Sequence, residues 1–237
     1  MKLSTFSVCT FALQYFVMNL PRSRWFLIGF LLFSSITLLL FYKALLPQKT
    51  LPIYAPSMVN PALVDSTVQH VAKHHRIADF SFVNQNGETI TQEKFAHKIY
   101  VADFFFTRCQ TICPKMSSNM CQLQEAFKGN PNVLFLSHSV TPEADSVSVL
   151  KTYAKKLGVR DNKWDLVTGD PKTIFYLARK SYLAVKTGNP TEWYNMVHTE
   201  NFILVDKNRR IRGFYDGTKQ ADITQLKEDI QWLSDQH

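Results

Sequence analysis

The sequence predicts an α/β domain built on a mixed sheet, preceded by one apolar helix. Three observations lead there. Strand-like apolar runs alternate with helix-length segments from about Ala78 to the C-terminus, the pattern of a sheet covered by helices. Two turn-bounded pairs of short strands read as hairpins, so part of the sheet is antiparallel. Trp25 to Tyr42 runs 18 residues without a charge, enough at 1.5 Å per residue for a short membrane span.

Residues 1–24 read as a cytoplasmic tail and residues 25–42 as a transmembrane anchor. Lys2, Arg22 and Arg24 precede the span and Lys43 follows it. The positive-inside rule then keeps the N-terminus in the cytoplasm and places the following domain on the outer, periplasmic or extracytoplasmic side. A cleaved signal peptide is the rival, but no Ala-x-Ala-like site follows and the apolar run exceeds the usual length. Met18 offers a second start, without which Cys9 would be retained. Residues 43–75 read as a tether, since Pro47, Pro52, Pro56 and Pro61 favour extended chain over helix. Residues 76–237 are the size of one folded domain.

Within that domain, Asp79-Phe80 and Asn86-Gly87 belong to an opening hairpin. Ile99 to Phe106 is a buried strand, followed by a helix from Pro114 to about Phe127 and a strand Val133–Val140. A helix from about Glu143 to Leu157, a short strand near Asp165–Val167 and a helix Pro171–Lys180 follow. Asn201–Asp206 and Arg210–Tyr215 form the second hairpin, and Thr218–Leu233 the last helix.

The formal charge of +8 is spread thinly: residues 1–43 hold four basic and no acidic groups, leaving +4 for the rest. Apart from Arg209, Arg210 and Arg212 at the second hairpin the basic residues are scattered, which argues against nucleic acid as a partner. Those three arginines read as a solvated loop, with an anionic lipid or acidic protein face as the sharper alternative.

Chemistry gathers at Thr107-Arg108-Cys109-Gln110-Thr111-Ile112-Cys113-Pro114, where a strand exits and Pro114 suits a first helical turn. Cys113 then lies at or near the N-cap, where the positive helix end favours a thiolate. Three residues between the cysteines leave two chemistries open. Side chains four positions apart approach to about 5–6 Å, near disulfide range, and two thiolates could equally share one soft metal at about 2.3 Å each. His198, before the second hairpin, is the candidate third ligand at the same sheet edge. Two thiolates and an imidazole suit Cu(I), Cu(II) with an added weak ligand, or Zn(II).

The bland readings are a structural disulfide for Cys109 and Cys113 and a surface histidine for His198. Cys121, eight positions past Cys113, reads as a buried small hydrophobe rather than a ligand. His70, His74 and His75 include an i,i+4 pair in or beside the tether, a weak auxiliary metal site. Asp103, inside an apolar strand, is costly unless paired or at an edge.

From about Ala78 onward the chain resembles the Sco/SenC family, thioredoxin-like copper proteins that help build the copper centre of cytochrome oxidase. The resemblance rests on Asp79-Phe80 with Asn86-Gly87, Phe106-Thr107-Arg108-Cys109 with Cys113-Pro114, Ser139-Val140-Thr141-Pro142-Glu143, Tyr153 to Gly158, Thr168-Gly169, and His198. It implies a thioredoxin-like fold, with Cys109, Cys113 and His198 as ligands of one copper ion. It also implies a chaperone that hands copper to the copper-bearing oxidase subunit, with an upstream copper donor or thiol reductant as further partner. The alternative it permits is a thiol–disulfide oxidoreductase, with Cys109 and Cys113 a redox-active pair that reduces the subunit's copper-ligand cysteines. Thr141 stands where family members often carry Asp, and Gln110-Thr111-Ile112 lacks the acidic and proline residues common between the cysteines. A peroxide-reducing enzyme would want Thr-x-x-Cys, which Thr107-Arg108-Cys109 does not supply.

Overall fold

A computed structural model describes residues 22–45, 49–61, 64–184 and 200–236. The chain forms two compact units, Met1–Thr50 and Leu51–His237. In the first, α1 (Arg22–Leu45) is one helix. Its segment Ser23–Leu45 is long and apolar enough to cross a membrane; 23 residues rise about 35 Å, against a hydrocarbon core of about 30 Å.

The second unit is a seven-stranded mixed sheet. Its strands are β1 (Ser81–Asn84), β2 (Thr89–Thr91), β3 (Ile99–Phe105), β4 (Val133–Ser139), β5 (Trp164–Thr168), β6 (Asn201–Val205) and β7 (Ile211–Asp216), in the spatial order β2-β1-β5-β4-β3-β6-β7. β3, β4 and β5 are parallel, and the two hairpins, β1–β2 and β6–β7, add antiparallel edges. The β1–β2 hairpin turns through Gly87, at φ +79°, where glycine is suited, whereas the β6–β7 hairpin holds Arg209 at φ +63°, a conformation that a residue with a side chain rarely adopts.

The helices are α2 (Cys113–Ala126), α3 (Val147–Leu157), α4 (Pro171–Tyr176) and α5 (Gln220–Asp235). α3 starts later than its sequence pattern, because Thr141–Ser146 is a turn in which Ala144 and Asp145 both donate to the Thr141 carbonyl. It stops at Gly158, φ +71°, whose N–H caps the last turn. α4 begins on the Asp170 carboxylate, which accepts the Thr173 N–H at 2.8 Å. After Tyr176 the chain widens into a π-turn, Leu177–Ser181, rather than running on as α-helix to Lys180.

β3 and β4 are buried along their whole length, and alternation sends their side chains into two cores. Tyr100, Ala102, Phe104, Leu134 and Leu136 face one with Phe80, Phe82 and Phe95. Ile99, Val101, Phe105, Val133 and Phe135 face the other, with Met116, Met120 and Leu123 of α2 and Leu226 and Ile230 of α5.

Compact packing begins at Leu51, earlier than the Arg76 boundary that the prolines suggest. Val64 and Ile77 are fully buried, and the Tyr54 N–H donates to the Ile211 carbonyl at 2.9 Å. Proline bars helix but leaves carbonyls free, and the Arg212 guanidinium donates to those of Leu51 at 2.7 Å and Pro52 at 2.9 Å. The arginine turn is therefore spent internally: Arg210 and Arg212 pair with Asp206, and Arg209 with Asp79.

Asp103 is not an edge residue, and among the described residues it pairs with no cation. It lies buried on central β3, accepting a short hydrogen bond from Ser137, whose oxygen in turn accepts the Trp164 indole N–H at 2.9 Å. Burial, opposed by the Ser137 hydrogen bond, pushes its carboxyl up to about 7. The folded chain therefore keeps a proton that the unfolded chain releases near 4, and stability falls as pH rises between those values. Asp103→Asn keeps the acceptor and removes the ionisation. It should stabilise the protein by roughly 2–4 kcal/mol at pH 8 and little at pH 4, read as the pH dependence of the denaturation midpoint.

Candidate metal and dithiol site

The site is built where β3 and β4 leave the sheet together. Their register pairs Phe105 with Ser139, so the loops that follow start side by side. Asp145, fully buried, joins them. Its carboxylate accepts the Thr107 hydroxyl at 2.5 Å and N–H at 3.3 Å, the Ser139 hydroxyl at 2.6 Å and the Thr141 hydroxyl at 3.0 Å. Four donors compensate its desolvation and fix Thr107, two residues before Cys109. This residue escaped the sequence reading; the signal was two hydroxyl residues, Ser139 and Thr141, at a strand end six and four positions before an acid.

From Thr107 the chain turns tightly, the Cys109 N–H donating to the Phe106 carbonyl at 3.3 Å. Cys113 is the first residue of α2 and Pro114 the second, where a missing N–H costs nothing. The N-cap residue Ile112 contributes no side-chain cap. Instead the Cys113 N–H, one of the unpaired donors of the helix start, donates to the Cys109 sulfur at 3.5 Å, and the Thr111 hydroxyl lies 3.6 Å from that sulfur.

The sequence placed the helix-stabilised thiolate at Cys113; the geometry gives it to Cys109. Burial would raise the Cys109 thiol, but the Cys113 thiol, the backbone of Cys113 and Thr111 and the Thr111 hydroxyl outweigh it and bring it down to about 7. Cys113 is buried, and burial together with its hydrogen bond to Cys109 pushes its thiol up to about 12. Both are free thiols. One half-exposed acidic thiol beside one buried basic thiol suits disulfide exchange, and two sulfurs this close suit a soft metal ion.

His198 lies outside the described residues. Among the described residues no group of three or more His, Cys, Asp or Glu side chains is arranged to hold a metal. Cys121, half-buried, donates its thiol to the Leu157 carbonyl at 3.3 Å, between α2 and α3. His75 hydrogen-bonds the Ser181 carbonyl at 2.7 Å through Nε2, while His70 and His74 are exposed.

Two outcomes follow for the copper-free, reduced protein. Alkylation by iodoacetamide should modify Cys109 with a rate that rises through about pH 7 and falls below it, while Cys113 stays unmodified until far more alkaline pH; mass mapping distinguishes them. Asp145→Ala, which strands three hydroxyls and one N–H, should cost about 2–4 kcal/mol of stability by denaturant titration and, by loosening the turn that aims the Cys113 and Thr111 donors, should move the rise in Cys109 alkylation to a pH above about 7.

The family described as SCO1/SenC matches residues 68–235. A SCO1 protein homolog of Bacillus subtilis is 31% identical over 163 residues, covering 68% of this chain and 84% of the relative. The solved structure of BsSco, described as a member of the Sco family of cytochrome c oxidase assembly proteins with a disulfide switch, is 30% identical with a TM-score of 0.59, over 69% of this chain and 95% of that one. Arabidopsis thaliana ScoI, solved with copper bound, is 25% identical with a TM-score of 0.54, over 68% and 98%. The sheet and helices around the dithiol are thus the thioredoxin-like fold of these proteins, and the match over more than two thirds of its length makes this chain a member of the SCO1/SenC family.

Proposed function

We propose that this protein is a membrane-anchored copper chaperone acting in the assembly of cytochrome c oxidase. It holds one copper ion through Cys109, Cys113 and His198 and passes it to the copper-bearing oxidase subunit. The observation that carries the reading is the pair of sulfurs at the β3 exit, close enough for the Cys113 N–H to reach the Cys109 sulfur at 3.5 Å. The Arabidopsis relative solved with copper supports copper as the cargo. Soft thiolates favour Cu(I), and an imidazole would extend the set to Cu(II).

The residues supply the exchange chemistry. Cys109, ionised near neutral pH, is the sulfur that meets copper or a partner first. Cys113 is deprotonated only when metal replaces its proton, so loading releases protons and weakens as pH falls. α1 anchors the domain, and the basic residues before it keep the N-terminus cytoplasmic and the domain on the outer side.

A second reading has one observation in its favour: an acidic thiol beside a buried one also suits dithiol exchange, and a disulfide switch is described for BsSco. The protein would then reduce the copper-ligand cysteines of the oxidase subunit. Copper titration of the reduced full chain, with His198→Ala and Cys109→Ser beside it, separates the two. One tightly held copper per chain is expected, lost in Cys109→Ser and weakened at least about tenfold in His198→Ala. Failure of the wild-type protein to retain copper, with continued reduction of a disulfide substrate, would support the oxidoreductase instead.

A further inference from the structure

Next to the dithiol lies a groove lined by Thr107, Ser148, Val149, Thr152, Tyr153 and Lys156. Thr107 is two residues before Cys109, and the other five belong to α3. Ser148, Thr152 and Lys156 recur at i, i+4 and i+8 along one stripe, with Val149 and Tyr153 beside it. Leu150 and Ala154, on the opposite side, are buried, so the stripe is the open face of the helix. Tyr153 gives it a firm wall: its ring stacks on Phe105 at 5.6 Å and its hydroxyl meets that of Ser117 at 2.9 Å. Val149, 37% exposed, leaves an apolar side chain open on this face.

The charge around this groove is one-sided. Lys151, Lys155 and Lys156 on α3, Arg108 between the β3 exit and Cys109, and Lys115 in the first turn of α2 are all exposed. None of the five makes an ion pair among the described residues. Glu143 is the one exposed carboxylate within residues 107–118 and 141–158. Other clustered cations have acidic partners: Lys128 and Arg160 share Glu125, and the hairpin arginines hold Asp79 and Asp206. Five exposed cations against one exposed carboxylate thus give a net positive surface beside the thiol that must meet another molecule.

We propose that this groove docks an acidic segment of the protein with which the dithiol exchanges copper or electrons. An apolar side chain of the segment packs on Val149 and Tyr153 while its carboxylates face Lys151, Lys155 and Lys156. Such complementarity raises the encounter rate and orients the partner toward Cys109. A concave strip with a single open apolar side chain fits a polypeptide better than a flat lipid surface. The inference rests on the proposed function only in taking a protein as the partner of Cys109.

The test uses the reduced, copper-free full chain and short peptides with one cysteine carried as a mixed disulfide with nitrothiobenzoate. The Cys109 thiolate attacks the peptide sulfur, a Cys109–peptide disulfide forms, and coloured nitrothiobenzoate leaves with the electron pair of the broken bond. Cys113 then displaces the peptide as its thiol, leaving the Cys109–Cys113 disulfide. With rates normalised to those of dithiothreitol, a glutamate-flanked peptide should react about tenfold faster than its lysine-flanked counterpart at low salt. That preference should fade at high salt and vanish in the Lys151→Glu, Lys155→Glu, Lys156→Glu variant, whose rate with hydroxyethyl disulfide stays that of the wild type.

Equal rates for the two peptides with the wild-type protein would overturn the proposal. So would a variant that slows hydroxyethyl disulfide as much as the acidic peptide, which would place the lysines' effect on Cys109 itself. Loss of binding to phosphatidylglycerol vesicles with unchanged peptide preference would assign the lysines to lipid and also overturn it. Because no copper is present, failure of the copper titration and failure of this preference are separate results.

Discussion

The parallel register of β3 with β4 is the constraint on which the site depends. Seven paired residues, from Ile99 with Val133 to Phe105 with Ser139, end both strands at one level. The two loops that follow are neighbours for that reason, and a single buried carboxylate can hold both. Asp145 takes up the donors of Thr107, Ser139 and Thr141, leaving the Cys109 turn little freedom. Apolar burial on both faces of the sheet fixes the register, because a slip by one residue would send the side chains of β3 into the wrong core.

On that platform the two cysteines become unlike. The same α2 helix buries Cys113 and turns its N–H toward the Cys109 sulfur. Burial and hydrogen bonding therefore act in opposite senses on thiols four residues apart, one brought down to about 7 and the other pushed up to about 12. This asymmetry serves either proposed chemistry. A metal finds one ligand ready and displaces a proton from the other; a disulfide finds one nucleophile and one resolving thiol.

Charge is distributed by the same economy. Several cations away from the site hold the fold, as Arg212 does in gripping the carbonyls of Leu51 and Pro52. Those beside the dithiol make no ion pair among the described residues. The internal and external uses of arginine and lysine follow their chemistry: the planar guanidinium satisfies several buried acceptors at once, whereas the lysine ammonium keeps its hydration at the surface.

The amino-acid sequence by itself determined the sheet's elements, the apolar helix and the position of the dithiol. These follow from local periodicity, from Gly87 at its turn, and from Cys109 and Cys113-Pro114 at a strand-to-helix exit, all legible in single segments. It could not show that Asp145 is the residue binding the site together, because its partners lie up to 38 positions away and meet only through the strand register. It placed the thiolate on the wrong cysteine, since the direction of one N–H depends on how the loop enters α2. It read residues 43–75 as a tether, because prolines announce extended chain but not whether the Arg212 guanidinium is near enough to donate to the Leu51 and Pro52 carbonyls. It also left Asp103 without a location, since only burial in the central sheet, with Ser137 as hydrogen-bond donor, decides that a carboxyl in a central strand keeps its proton. Tertiary structure decided these points for one physical reason: each turns on a hydrogen bond or a desolvation between residues that the chain brings together only after it has folded.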